Sequence, residues 1–371
     1  MAENCVLTKD DLNVSSTCQR FDYLDIAKGI GVLLVLFGHL LQYGGKVSTF
    51  IFSFHMPLFY IISGMCFNPE KDSSFESFVI RRFKSLVIPY FLYCIVGLVF
   101  TCAIPGMMTD GMSIDAIAND VFYLAAPNIF HVGQIWFLID LFFVEIFGFT
   151  LNKLVFSKSN KKIVSVITIL LLIYCGANTT WVSVRYFVLG RFPWMLDTAI
   201  TATVFYVVGF LIRRWGVAKT LKRCNKALLS IFAIVLYGLL AHISINYLGW
   251  VNIANLMFNN LFLYYTCAFI GALATICISE AICGLTVTKP LKILGRNSLF
   301  LFSIHSIFLE LLAILATRVY GYQIMFGLNM PQKVIVLGGA GIAAALVAFG
   351  CIQNYLRRKN IGRKSEGNYR H

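Results

Sequence analysis

Ten long apolar segments leave this chain one kind of architecture. They cover 26–43, 49–67, 86–104, 133–151, 163–177, 194–212, 227–245, 256–278, 298–317 and 334–352. A helix needs about 20 apolar residues to cross a hydrocarbon core about 30 Å thick, and shorter ones are tolerated inside a bundle. In lipid every backbone polar group must be satisfied internally. The expected fold is therefore an all-α membrane protein, a polytopic bundle of about ten transmembrane helices. Composition agrees, since 58% of the 371 residues are apolar and 13% are charged, against about a quarter charged in soluble domains. An ordinary soluble enzyme is excluded. No composition shift marks a second domain, so 1–25 is read as an N-terminal segment, 26–352 as one transmembrane domain and 353–371 as a basic tail.

The 31 Lys+Arg and 17 Asp+Glu give a formal net charge of +14. In a soluble chain that excess suggests nucleic acid; in a membrane protein it is read by placement. With ten spans, 26 basic residues fall on the side of both termini, and Lys46, Arg185, Arg191, Arg318 and Lys333 fall on the other. This predicts cytoplasmic termini, a multi-pass protein of the cell membrane and no nucleic-acid partner. The eleven Cys form no CxxC and lie mostly in apolar runs. They read as small buried apolar residues, and no metal site is expected because no Cys/His group has ligand spacing. The first 25 residues hold five acids and no apolar stretch, unlike a cleavable signal peptide. The outer connections 105–132 and 178–193 are long enough to lie across a pocket mouth.

An ionisable side chain in the bilayer core costs roughly 2.5–3.5 kcal/mol and is functional by default. The candidates are His39, His55, Asp140, Glu145, His305 and Glu310. At ~1.5 Å per residue from the cytoplasmic end of each span, His39 lies about 20 Å deep, His55 and Glu310 about 18, Asp140 about 17 and His305 about 10. Four share one level, as a single polar chamber requires. Lys28 and His39 are eleven residues apart, about 20° short of or past whole turns, so they share a face about 16 Å apart, with Asp25 near the same stripe. A cation at the mouth below a deep imidazole suits an anionic ligand whose reactive end reaches the ring. The competing reading has Lys28 snorkelling and His39 satisfying a neighbouring helix. Pro57 frees a carbonyl near His55, and Ser63 follows on the same span. Arg81, Arg82 and Lys84, one turn before the third span, suit phosphate, or simply set topology. Trp136 and Asp140 share a face, with Glu145 about 140° away. Asn297 or Ser298 is the expected N-cap of the span carrying His305.

Lys28-x10-His39, Phe54-His-Met-Pro-Leu-Phe with Ile62-Ser-Gly64, Arg81-Arg-x-Lys84 before Pro89-Tyr90, Ile135-Trp-Phe-Leu138 and Asn297-Ser298 leading to His305 follow one another in order. Together they resemble the acyltransferase-3 family of bacterial integral membrane O-acyltransferases, in particular members similar to fucose 4-O-acetylases. Many members have Arg where this chain has Lys28. The resemblance implies transfer of an acetyl group from acetyl-CoA, a donor substrate and not a bound cofactor, to a sugar hydroxyl of a surface polysaccharide or its lipid-linked precursor. It implies His39 as general base, with His305 or His55 supporting the oxyanion or orienting the sugar. Lys28, Arg81, Arg82 and Lys84 would take the donor phosphates, and Asp25, Ser63, Trp136, Asp140 and Glu310 would line the chamber. A proton-coupled transporter or flippase with a His/Asp/Glu relay is the alternative.

Overall fold

A computed structural model describes residues 21–41, 45–69, 74–103, 135–186 and 192–305. These residues are helical, with no strand among them beyond a single bridge between Asn252 and Met257. The helices are α1 (Asp22–Leu40), α2 (Lys46–Phe52), α3 (His55–Cys66), α4 (Phe75–Arg82), α5 (Ile88–Ala103), α6 (Trp136–Leu151), α7 (Lys162–Tyr186), α8 (Leu196–Arg214), α9 (Val217–Arg223), α10 (Lys226–Ile243), α11 (Leu261–Ala281) and α12 (Lys289–Arg296). A further helix, α13, is described over 298–305.

Six helical runs among the described residues are long and apolar enough to cross a membrane: Lys46–Cys66, Phe75–Val99, Lys162–Ser183, Pro193–Arg214, Lys226–Leu248 and Leu261–Ala281. The first and fourth expected spans are also helical, as the 19 residues of α1 and the 16 of α6. The ninth is described only through His305, and the tenth lies outside the described residues, as does the connection 105–132. Exposed apolar side chains such as Leu92 and Ile95 on α5, Leu170 and Leu171 on α7, and Ile231 and Val235 on α10 face outward. The runs containing α3 and α8 are each 78% buried. Apolar residues outside and a packed polar-bearing interior suit a bundle solvated by lipid. The chain is a multi-pass membrane protein.

Three spans differ in detail from their sequence pattern, each for a local reason. The second is broken at Ser53 and Phe54, where Phe54 takes φ −149° and ψ −16°. The Pro57 ring excludes the carbonyl four residues back, that of Ser53, so α2 ends there and Pro57 sits in the first turn of α3. The third span starts earlier than expected, at Ser74, whose hydroxyl accepts the Ser77 N–H at 3.1 Å. α4 continues through a wide π turn, Phe83–Val87, into α5. Arg81, Arg82 and Lys84 thus lie within a continuous helical run and not in a connector ahead of it. The π turn precedes Pro89, which has no N–H for a regular ladder. The fifth span's helix, α7, runs 25 residues, to Tyr186, and absorbs the first half of the outer connection expected at 178–193.

Two contacts between backbones set the register of the core. A Cβ on Gly64 of α3 would stand 2.0 Å from the Tyr206 carbonyl oxygen, and one on Gly209 of α8 would stand 2.0 Å from that of Ile61. Small residues permit this approach where lipid supplies no hydrophobic drive between helices. The second contact joins α1 to α12. A Cβ on Gly29 would meet the Leu291 oxygen at 2.1 Å, and one on Gly295 the Asp25 oxygen at 1.7 Å. Charges clasp this joint. Lys292 Nζ lies 2.7 Å from Asp22 Oδ2, and Arg296 Nε donates to Asp25 Oδ2 at 3.1 Å. The hydrogen bond to Asp22 holds the Lys292 ammonium above the usual lysine range.

Candidate active site

The polar interior has two parts joined by an aromatic wall. The first is a cavity of about 250 Å³, with Lys28 of α1, Ser63 of α3, Arg82 of α4, Glu145 of α6 and Ser298 of α13 as its main polar lining. Phe59, Phe137 and Phe302 are among its apolar walls. Glu145 is buried in this lining. Its Oε1 accepts the Ser63 hydroxyl at 2.6 Å, and its Oε2 lies 2.8 Å from Arg82 Nε. The Arg82 N–H does not point squarely at that oxygen, so the contact is an ion pair without an aligned hydrogen bond. Lys28 shares the cavity with this pair and with the exposed Cys66 end of α3.

The second part is a histidine cluster. His39, near the end of α1, stacks at a tilt against His305 of α13, with ring centroids 5.1 Å apart. Phe52 bridges His39 and His55, at 6.3 and 4.9 Å. The helix break brings His55 here: its Nδ1 bonds the Ile51 carbonyl at 2.9 Å, the partner its backbone N–H would have had in an unbroken helix. His305 Nδ1 meets the Phe302 carbonyl at 2.5 Å. A carbonyl only accepts, so Nδ1 carries the proton in both rings and the neutral form keeps its lone pair on Nε2. His305 Nε2 is buried with no hydrogen bond. Phe302 belongs to both parts, since it lines the cavity and lies 5.6 Å from the His305 ring.

The residues read from the sequence are sorted by this geometry. Lys28, Ser63 and Arg82 meet at the cavity, and His39, His55 and His305 meet in the cluster. Asp25, expected in the chamber, is turned to the α12 joint and held by Arg296. Asp140 is fully buried and accepts the Tyr60 hydroxyl, away from the cavity lining. Trp136 packs at the start of α6 against Phe137. Arg81 stands over the Phe78 ring, and Lys84 is exposed on the π turn. Glu310 lies outside the described residues. His305 corrects the depth count, which set it about 10 Å short of His39. Because Gly295 is pressed onto α1 at Asp25 and Gly29, α13 starts against α1 and inside the level from which its depth was counted.

Two residues of the site were not assigned a role from the sequence. Glu145 points about 140° from Asp140 on the helical wheel, as expected, yet both are buried because α6 is surrounded. Tyr60 serves one face and Ser63 with Arg82 the other. The signal for Glu145 was a carboxylate that no apolar span tolerates unpaired. Tyr60 gave none, since a tyrosine in a span reads as packing. Asn297 also departs from its expected role. Its carbonyl accepts the Leu301 N–H, but its side chain donates back to the Ile293 carbonyl, closing α12 instead of capping α13. Of the cysteines, Cys94, Cys267 and Cys277 are buried as expected, while Cys66, Cys175 and Cys224 are exposed. Among the described residues no group of three or more His, Cys, Asp or Glu is arranged to hold a metal.

Comparison with known families matches an acyltransferase domain, that of the acyltransferase-3 family, over residues 21–350. The chain belongs to the acyltransferase-3 family. It is a membrane acyltransferase, and the transporter reading of its buried His, Asp and Glu gains no support. Comparison with curated proteins and with solved structures found no match. The acyltransferase-3 match spans every element described above, so the cavity and the histidine cluster both lie inside the acyltransferase domain.

Proposed function

We propose that this acyltransferase moves an acetyl group from acetyl-CoA to a sugar hydroxyl of a surface polysaccharide or its lipid-linked precursor, as fucose 4-O-acetylase-like members would. In this reading it has ten spans, its termini are cytoplasmic, and the donor enters at the Lys28 end. The observation that carries the reading is the His39–His305 pair standing behind Phe302, one helical face beyond a cation-bearing cavity. The eleven residues from Lys28 to His39 span about 16 Å, comparable to the extended pantetheine arm that separates the coenzyme's phosphates from its sulfur.

The chemistry needs a base, and the cluster offers one oriented by a second ring. His305 is fixed by the Phe302 carbonyl with a lone pair on Nε2. His39, stacked against that ring, is oriented by it and takes the hydroxyl proton. The sugar oxygen bonds to the thioester carbon and its proton passes to His39. The tetrahedral oxyanion then collapses, the C–S bond breaks, and the departing thiolate recovers the proton from the imidazolium. Lys28 and Arg82 face the donor's negative charge. His55, fixed on the Ile51 carbonyl and set across Phe52 from His39, orients the acceptor.

The test is consumption of labelled acetyl-CoA by purified protein in detergent, supplied with lipid-linked sugars from the same membranes. Free coenzyme A should appear in step with label in hexose-containing product. A protein that binds acetyl-CoA and releases no coenzyme A under any acceptor would overturn the reading.

A further inference from the structure

Glu145 occupies a position that an anionic group of the donor would take. It is 1% exposed, held by the Ser63 hydroxyl at 2.6 Å, and faces Arg82 at 2.8 Å inside the cavity that Lys28 enters. A buried carboxylate paired with one guanidinium stabilises that guanidinium in place, but it also spends the charge that would attract an anion. The pair has attraction without an aligned hydrogen bond, unlike the fork geometry in which Arg grips a carboxylate firmly. Arg82 also lies at the junction of α4 with the π turn, a wide turn of the kind that recurs at functional sites.

We propose that Glu145 is an internal stand-in for a phosphate of the coenzyme A donor. It holds Arg82 in its binding position while the cavity is empty, and it competes with the phosphate when donor or product is bound. The inference rests on the acyl-CoA reading above. Glu145 is a positioning residue that tunes affinity and product release, and it touches no reacting atom. The competition has a directional consequence. Removing the carboxylate charge tightens binding of coenzyme A, where removing a residue that merely supports the site would weaken it. It also slows release of the product, so turnover falls as affinity rises.

The experiment is calorimetric titration of free coenzyme A into the purified full chain in detergent, for the wild type, Glu145→Gln, Arg82→Gln and the double variant. Glu145→Gln should lower Kd about tenfold and lower kcat with it. Arg82→Gln should raise Kd, and in its presence Glu145→Gln should have no further effect, the non-additivity expected of contacting residues. Glu145→Asp withdraws the carboxylate by one methylene and should shift Kd the same way by a smaller factor, which serves if the Gln variant does not fold. An unchanged or raised Kd in Glu145→Gln, or in Glu145→Asp, would overturn the proposal while leaving the donor reading standing. A wild type that binds no coenzyme A would remove both.

Discussion

Replacing His305 by Asn separates the two nitrogens of one ring. The Asn amide nitrogen can still donate to the Phe302 carbonyl, as His305 Nδ1 does at 2.5 Å, but nothing replaces the buried Nε2 of the ring stacked against His39. If His305 only packs, the variant keeps most of its activity. If Nε2 orients His39 as base, the variant loses the base's benefit, typically about 10²- to 10⁴-fold in rate. At 1.36 kcal/mol per tenfold, that is about 2.7–5.4 kcal/mol of transition-state stabilisation. His305→Gln makes the complementary change, placing an amide near Nε2 while giving up the Phe302 bond, and should recover part of the loss. Acetyl transfer from labelled acetyl-CoA is measured with expression and detergent-phase monodispersity as controls. His39→Ala should lose as much as His305→Asn, and the double variant should lose no more than the worse single, because the two rings act as a unit. Activity above about a tenth of wild type in His305→Asn, well outside the range for a lost base, would refute the tautomer reasoning.

Two further predictions concern the cavity and the joint. Cys66 is exposed at the cavity, so coenzyme A should slow its alkylation by a maleimide several-fold while Cys175 and Cys224 react as before. Peptide mass spectrometry distinguishes them, and equal rates at Cys66 with and without ligand would remove the donor from this cavity. Gly295→Ala places a methyl 1.7 Å from the Asp25 oxygen and should destabilise by about 1–3 kcal/mol, the usual cost of overpacking. Thermal unfolding in detergent reads it, and an unshifted midpoint would mean that α1 and α12 do not meet there.

Much of the site was legible because helical periodicity is local. Lys28 and His39 share a face by arithmetic, and the structure puts Lys28 in the cavity and His39 in the cluster that Phe302 joins to it. Arg82 and Ser63 were recognisable as polar residues in or beside apolar spans, though not that a single carboxylate, Glu145, would engage both. The wheel angle between Asp140 and Glu145 was right, but an angle on one helix does not say how many neighbours surround it. Asp25 shows the same gap. Its partner came from α12, 271 positions along the chain, which no spacing rule reaches.

The level of His305 shows what kind of information was missing. Depth counted from a span's first residue assumes that each helix begins at the membrane surface, which holds where a charged loop ends at a Trp or Arg anchor. It fails where the preceding segment is itself packed on the bundle. Here α12 carries Lys289, Lys292 and Arg296 and reads as a surface loop, yet Gly29 and Gly295 let its backbone touch that of α1. The joint, and not the interface, sets where α13 begins. The acidic side chains of α1, in the segment read as an N-terminal extension, then serve as the other half of a clasp with Lys292 and Arg296. One glycine contact and its charges therefore fix the register on which the pairing of His39 with His305 depends. For the same reason, damage at Gly295, far from either ring in sequence terms, should reach the chemistry as well as the stability.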